Sequence, residues 1–540
     1  MVEELKKIIL DDYNSIFSQT DNSNLIEKLK NDRKKILLAL SKIYKSKKIL
    51  IIGDKDVDGI TSTTMMAKTI KNIKGEREIH TYIPSRYDGY SLNVNITSTL
   101  LKNKTYDLII HLDNGSSYET LNAIKEKQLE DKYIIIDHHP IDEIKEFPEF
   151  VINPNISGNV STSTGLIVGY IYDFLYKYNK HTKIFKEEWE EGIFDEVRAL
   201  SALADMVDKN SLYNRNIIKK GIEKIKTSPY YLYKNVEIED VINYLSFKII
   251  PLINAVGRIA SNEDLNNIDF NVLFFEKEDI NKFKEEFKKL EYFNSLRKEA
   301  TEFFTKLAFN EYQENKDLLN GVFVFYHDNM PIGINGLVAQ KIYQTTGTPT
   351  ICLSPNPVDP TIIYGSGRGK NLKNFIKQIK KENPELLFEF GGHQDAFGIS
   401  VNAFNIDEVI KVFKNQKFKI EKKEEDLTIN YEFTDSELLE VMNFYKEITD
   451  DIPLDKDYKI KFKYENIALL KKYNDLYALA MFDDLRGLIN PETFNKLLDL
   501  SNKSFIMKLP YGIKNIAFDI DPLSFNINKT LKPNTKIKLK

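Results

Sequence analysis

The stretch Lys48-Ile49-Leu50-Ile51-Ile52-Gly53-Asp54-Lys55-Asp56-Val57-Asp58-Gly59-Ile60-Thr61-Ser62 decides the fold. Its first half is a short, β-branched apolar run, which suits a strand buried on both faces of a parallel sheet. Its second half turns acidic, and the periodicity beyond it predicts a helix from Ile60 to Ile73. The strand signal returns at Ile79 to Ile83, at Tyr106 to Leu112 and at Lys132 to Ile136, with helix-like segments between. Alternating strand and helix predicts an α/β domain on a parallel sheet.

Working outward, residues 1–45 read as an N-terminal helical segment, with Leu5, Ile8, Ile9 and Tyr13 spaced by three and four. The catalytic α/β domain is expected over 46–270 and is mostly helical after residue 162. A charged, periodic segment over 271–315 reads as a long connecting helix. A smaller α/β domain follows over 316–420, opening on the strand Gly321 to Tyr326. Residues 421–540 differ. Short alternating runs such as Tyr458 to Tyr464 and Ser504 to Leu509 predict a β-rich domain, an OB-like module being one reading.

A chain of 540 residues can bury large cores in several domains. Its net charge of −4 excludes a uniformly basic nucleic-acid binder but not a local basic groove. The one cysteine, Cys352, excludes a disulfide framework and sits in an apolar run as a buried thiol. Met1 to Tyr13 lacks the apolar core of a signal peptide, and no stretch approaches the ~18 apolar residues of a membrane span. A cytoplasmic protein with no membrane partner is expected.

In parallel sheets, ligands bind beyond the carboxyl ends of the strands. Asp54, Asp56 and Asp58 follow the first strand, Asp113 the third, and Asp137, His138 and His139 the fourth. Carboxylates converging at one sheet edge repel one another unless cations neutralise them, so the pattern calls for divalent metal. Mixed carboxylate and imidazole donors place manganese ahead of magnesium. Two such ions about 3.5–4 Å apart would activate a water against a phosphodiester. Asp54-x-Asp56-x-Asp58-Gly59 also matches the opening of a calcium loop, but Met65 stands where that loop needs its glutamate. His111, two residues before Asp113, falls on the same side of its strand and is a candidate supporting residue.

Gly53 to Ser62, Asp113-Asn114-Gly115, Asp137-His138-His139 and Ala204-Asp205 together resemble the motifs of the DHH phosphoesterase superfamily. Gly391-Gly392-His393-Gln394-Asp395-Ala396-Phe397-Gly398 resembles the Gly-Gly-His-x-x-Ala-x-Gly signature of its accompanying DHHA1 domain. Four further segments are similar to the RecJ family of exonucleases: Tyr82 to Arg86, Ile253 to Ile259, Gly336 to Ala339 and Gly365 to Arg368. The likeness runs from about residue 47 to 403. It implies a DHH domain joined by a long helix to a smaller DHHA1 domain. The activity it implies is 5′→3′ hydrolysis of single-stranded DNA in repair and recombination, alongside a single-strand-binding protein and a helicase. It gives two metal ions to Asp54, Asp56, Asp58, Asp113, His138 and Asp205, with Asp113 bridging. His139 would contact the scissile phosphate or act as general acid, and Asp137 would orient a histidine. Arg86, Arg258, Ser366, Arg368, Gly391, Gly392 and His393 would hold substrate phosphate.

The alternative within the superfamily is an oligoribonucleotide or cyclic-dinucleotide phosphodiesterase, and outside enzymes a scaffold that has lost its ligands. Every ligand position is filled here, which argues against the scaffold. The chain departs from the RecJ pattern at Lys55, where an aromatic residue is usual, and at Ser91, where glycine is expected. It departs again at Phe397, whose bulk is expected to alter the cleft, and in a tail without the OB-fold's Pro-Phe-Gly segment.

Overall fold

Lys48–Ile52 forms strand β1, and its four apolar residues are buried. The computed structural model describes residues 3, 6–7, 10–11, 14, 25–88, 105–140, 148–157, 160–187, 189–234, 241–316, 319, 321–392, 394–418, 428–433, 440–441, 444, 447–448, 459–464, 469–472, 478–482, 485–489, 503–508 and 516–519. With β2 (Glu78–Tyr82), β3 (Leu108–Leu112), β4 (Tyr133–Ile136) and β5 (Val151–Ile152), β1 makes a five-stranded sheet in the order β2-β1-β3-β4-β5. Every pairing is parallel, and Ile52 lies between Tyr82 and His111. The expected α/β fold on a parallel sheet is the observed one. Strand order reverses between β1 and β3, so a crevice opens beyond their carboxyl ends. Those ends carry Asp54 and Asp113.

Helix α1 (Val57–Asn72) begins three residues before the expected Ile60. Asp56 explains the shift: its carboxylate accepts the Gly59 N–H at 3.1 Å and caps the first turn. Fourteen of the sixteen residues of α1 are buried, because the helix is covered by α2 (Thr164–Thr182) and α3 (Asp195–Ala204). Three of its hydroxyls tolerate that burial by bonding back along the helix, Thr61 to Val57 O, Ser62 to Gly59 O and Thr64 to Ile60 O. Gly59 is needed for the close approach. A Cβ there would lie 2.5 Å from the backbone N and O of Asp54.

Helix α4 (Ile250–Ile259) packs on α5 (Ile280–Asn315), a single helix of 36 residues capped by Asp279. A mixed sheet follows, made of β6 (Phe323–Tyr326), β7 (Thr350–Pro355), β8 (Ile362–Arg368), β9 (Phe388–Gly392) and β10 (Ala396–Asn402) in the order β6-β7-β8-β10-β9. Only β6 and β7 run parallel. Helix α6 (Asn335–Thr346) lies against β7 and β8. Cys352 is buried in this sheet.

Phe397 corrects one expectation. It is 2% exposed and packs with Ile351, Ile363 and Phe413 in the core, not in a cleft. Alternation along β10 puts it on the inner face, where Gly367 leaves room for its ring. Ser91 lies outside the described residues.

All of these elements belong to one unit, Ser23–Val207 with Asn216–Ile420. A second unit comprises Met1–Asn22, Asp208–Arg215 and Glu421–Lys540. It holds a seven-stranded mixed sheet: Thr428–Phe433, Lys459–Tyr464, Lys503–Lys508, Ile516–Asp519, Leu485–Ile489, Ala478–Phe482 and Leu469–Lys472 in spatial order. Among the described residues no helix is long and apolar enough to cross a membrane.

Gly59→Ala should cost about 1–3 kcal/mol, the usual range for forcing extra volume into a packed interior. Urea denaturation of the full chain checks this; an unchanged midpoint would contradict the packing of α1 on the Asp54 loop.

Candidate metal centre and phosphate pocket

Each acidic residue reaches the crevice through a distinct local device. Asp113 ends β3 in the left-handed conformation (φ 66°), which an aspartate tolerates better than most residues, and its N–H bonds Ile136 O at 3.0 Å. Asp205 sits at the carboxyl end of α3. Asp58 lies in the first turn of α1 with its side chain 1% exposed. Its carboxylate is held by the amino end of α2, accepting from Thr164 N at 2.6 Å, Gly165 N at 2.8 Å and Ser201 Oγ at 2.6 Å. Unpaired amides at a helix start are a ready partner for a buried carboxylate.

Around His138 the donors close in. Its Nε2 lies 3.2 Å from Asp113, 3.4 Å from Asp205 and 3.8 Å from Asp58. Three groups of donor atoms each fit within 4.8 Å: Asp113 with His138 and His139, Asp58 with His138 and Asp205, and Asp54 with Asp56 and Asp113. Asp113 and His138 are each shared by two groups. The chemistry of the set, all carboxylate and imidazole, fits divalent metal.

The electrostatics agree. Burial, and then the charges of Asp58, Asp56, Asp54 and Asp205, push the Asp113 carboxyl well above its ordinary range. Burial and the charges of Asp58 and Asp56 raise Asp205 to about 8. Burial and the charges of Asp54 and Asp58 raise Asp56 as well. Burial lowers His138 despite its acidic neighbours.

Asp137 has a separate task. One oxygen accepts from His138 N (2.8 Å), His139 N (3.2 Å) and His139 Nδ1 (2.8 Å), and the other accepts from Ser116 N and Oγ. Asn153 donates to Ser116 Oγ and to His139 O, completing the brace. Burial alone would raise Asp137, but these bonds and the two histidines hold it well below the usual carboxylate range. Burial would likewise lower His139, yet its bond to Asp137 and the charges of Asp137, Asp54 and Asp56 raise it to about 10. The His139 side chain remains 59% exposed, so Nε2 is available to a substrate. His111 is fully buried, edge-on to Tyr133 and beside Gly115, and burial takes it down to about 3.

Next to this acidic site is a basic one. Arg86 follows β2 in a turn pinned by Asn262 and Asn266, whose side chains accept from Ser85 N and Ile83 N. Arg258 ends α4 and donates to Gly333 O at 3.0 Å. Ser366 and Arg368 share a face of β8, and Gly336 at the start of α6 makes way for both: a Cβ there would be 2.6 Å from the Arg368 guanidinium. Burial, then repulsion from Arg86, Arg297 and Arg368, pulls Arg258 down to about 9, so four cations crowd one place. Arg86 also attracts Asp54, and Asp56 attracts Arg258, so the two sites adjoin.

Gly391 and Gly392 are exposed at the end of β9; among the described residues no hydrogen bond or ion pair joins them to the arginines. His393 lies outside the described residues. Sequence reasoning missed Ser116, Asn153, Thr164, Gly165, Ser201, Asn262, Asn266 and Arg297. Only Ser163-Thr164, hydroxyls just ahead of an apolar run, carried a readable helix-start signal.

Residues 48–193, which carry the parallel sheet, its strand-end aspartates and the histidine pair, match the model of the DHH family, N-terminal domain. Relatives of the chain include the single-stranded-DNA-specific exonuclease RecJ of Haemophilus influenzae, 26% identical over 521 residues, with 91% of this chain and 83% of the relative covered. The putative SPβ prophage-derived single-strand DNA-specific exonuclease YorK of Bacillus subtilis is 28% identical over 438 residues, covering 76% of this chain and 73% of its own. The fold resembles that of RecJ from Thermus thermophilus in complex with Mn2+, with a TM-score of 0.66 and 15% identity over 94% of this chain and 73% of that one.

Without metal, Asp205 titrates near 8 against an ordinary 3.8, and His139 near 10 against 6.5. Between pH 7 and 8 the folded chain therefore holds protons that the unfolded chain has lost, and stability falls as pH rises. Melting curves in chelator should show that fall; excess Mn2+ should flatten or reverse it by taking the protons' place. The same slope with and without Mn2+ would contradict the metal centre.

Proposed function

We propose that this chain is a single-stranded-DNA-specific exonuclease working 5′→3′ by two-metal hydrolysis of phosphodiester bonds. The observation that carries it is the adjacency of the Asp113–His138 centre to the arginine pocket of Arg86, Arg258 and Arg368 within one unit. One site suits the reacting phosphate, the other a terminal phosphate that fixes which bond is presented. RecJ and YorK, whose names carry the same specificity, support the reading.

Asp54, Asp56, Asp58, Asp113, His138 and Asp205 would hold two divalent ions, with Asp113 shared and manganese ahead of magnesium. When bound, the ions would supply an activated water and neutralise charge at the scissile phosphate. The chain's own residues do the rest. Asp137 fixes the His139 ring through Nδ1 and keeps it protonated, so Nε2–H can donate to the phosphate or release its proton to the leaving oxygen. Arg86, Arg258 and Arg368, with the Ser366 hydroxyl, would bind a 5′-phosphate by paired, charge-assisted bonds. Gly391, Gly392 and His393 would close over the substrate backbone.

The domain reading follows the same likeness. Residues 46–270 would be the DHH domain, 271–315 the connecting segment that holds α5, and 316–420 the DHHA1-like domain that contributes Ser366 and Arg368. A cytoplasmic role in DNA repair and recombination, with a single-strand-binding protein and a helicase as partners, fits such an activity.

Purified protein with Mn2+ should degrade 5′-phosphorylated single-stranded DNA faster than duplex DNA, short RNA or cyclic di-AMP. Cleavage of a dinucleotide while single-stranded DNA survives would favour an oligoribonucleotide or cyclic-dinucleotide phosphodiesterase instead. Asp113→Ala should abolish turnover of every substrate, and retained activity would refute the shared-ligand assignment. Arg368→Ala should lose the preference for a 5′-phosphate over a 5′-hydroxyl end; an unchanged preference would remove that residue's role.

A further inference from the structure

One charged side chain among these carboxylates is neither a metal donor nor a phosphate contact. Lys55 stands between Asp54 and Asp56, its side chain only 8% exposed, and its Nζ donates to Asp54 Oδ1 at 2.9 Å. The lysine is held there from outside its own loop. Gly257 of α4 packs against it so closely that a Cβ on the glycine would be 2.1 Å from Lys55 O and 3.0 Å from Lys55 Cβ. Asn254, one turn earlier on α4, accepts the Val57 N–H at 3.0 Å and fixes the loop on the far side.

The charge it brings is unevenly shared. Of the three donor groups, the one made by Asp54, Asp56 and Asp113 has this built-in ammonium on one carboxylate. Among the described residues, the ion pairs to Asp58, Asp113 and Asp205 come from His138 alone. A fixed cation on a carboxylate oxygen withdraws charge from the ligand and repels a divalent ion approaching the other oxygen. Burial strengthens that repulsion, because little water intervenes.

We infer that Lys55 is a built-in counter-ion that makes the two metal positions unequal, weakening the one at Asp54, Asp56 and Asp113 relative to the one at Asp58, His138 and Asp205. This rests on the metal reading of the preceding section and deepens it. Lys55 acts through Asp54, so it is a positioning residue. It keeps the Asp54 carboxylate balanced in the metal-free chain and must yield part of that bond when the weaker position fills.

The test is Mn2+ titration of the full chain, followed by calorimetry and by the electron paramagnetic resonance signal of free Mn2+. The wild type should show two classes of site. Lys55→Met, which keeps the aliphatic stem that α4 packs on, should tighten the weaker class by about tenfold or more, the scale expected for removing a buried like charge, and leave the tighter class nearly unchanged. Lys55→Arg should behave as the wild type. Lys55→Gln, which retains a donor without charge, should match Lys55→Met and stands in for it if that variant does not fold. Equal sites in the wild type, unchanged or weakened binding in the uncharged variants, or Lys55→Gln matching the wild type while Lys55→Met differs would each overturn the inference. Failure of the wild type to bind Mn2+ at all would instead overturn the metal reading beneath it.

Discussion

Five aspartates, 54, 56, 58, 113 and 205, converge with His138 at the mouth of a parallel sheet, Asp58 and Asp113 buried and the other three partly so. Carboxylates so placed cannot all remain charged without partners. The fold answers that constraint in stages. Asp58 is satisfied by the amino end of a helix and the Ser201 hydroxyl. Asp54 is met by Lys55. Asp113 and Asp205 share His138, Asp113 also accepts from Thr164 Oγ1, and burial with the neighbouring carboxylates raises the titration of both.

The rest of the unit serves this arrangement. Helix α1 is buried almost completely so that its first turn can carry Asp58 beside Asp54, and Gly59 allows the approach. The brace of Asp137, Ser116 and Asn153 fixes His139 without spending a residue of the acidic set. Beyond the acidic edge, the arginines supply the opposite charge. A chain of net charge −4 thus holds a concentrated acidic site and a concentrated basic site side by side, as a phosphodiester with a terminal phosphate would require.

Much of this was legible in the sequence because it is local. A β-branched run followed at once by Asp54-x-Asp56-x-Asp58 states both the strand and what stands at its end, and three such strand ends converge by the rules of parallel sheets. Asp205 was different: it sits at the end of a helix, so only family likeness pointed to it. Arg297 and the asparagines that pin the Arg86 turn gave no signal, since their roles depend on how α4 and α5 pack rather than on spacing. Phe397 was misread because a motif position says nothing of strand parity; alternation along β10 turns it into the core. The start of α1 was misplaced because Asp56 serves as both candidate ligand and helix cap.

Anomalous diffraction at the manganese edge, from crystals of the full chain soaked in Mn2+, would locate the ions. Two peaks should flank the Asp113 carboxylate, one toward Asp54 and Asp56 and the other toward His138 and Asp205. No peak within ligand distance of Asp113, with the carboxylates left in place, would contradict the shared-ligand assignment.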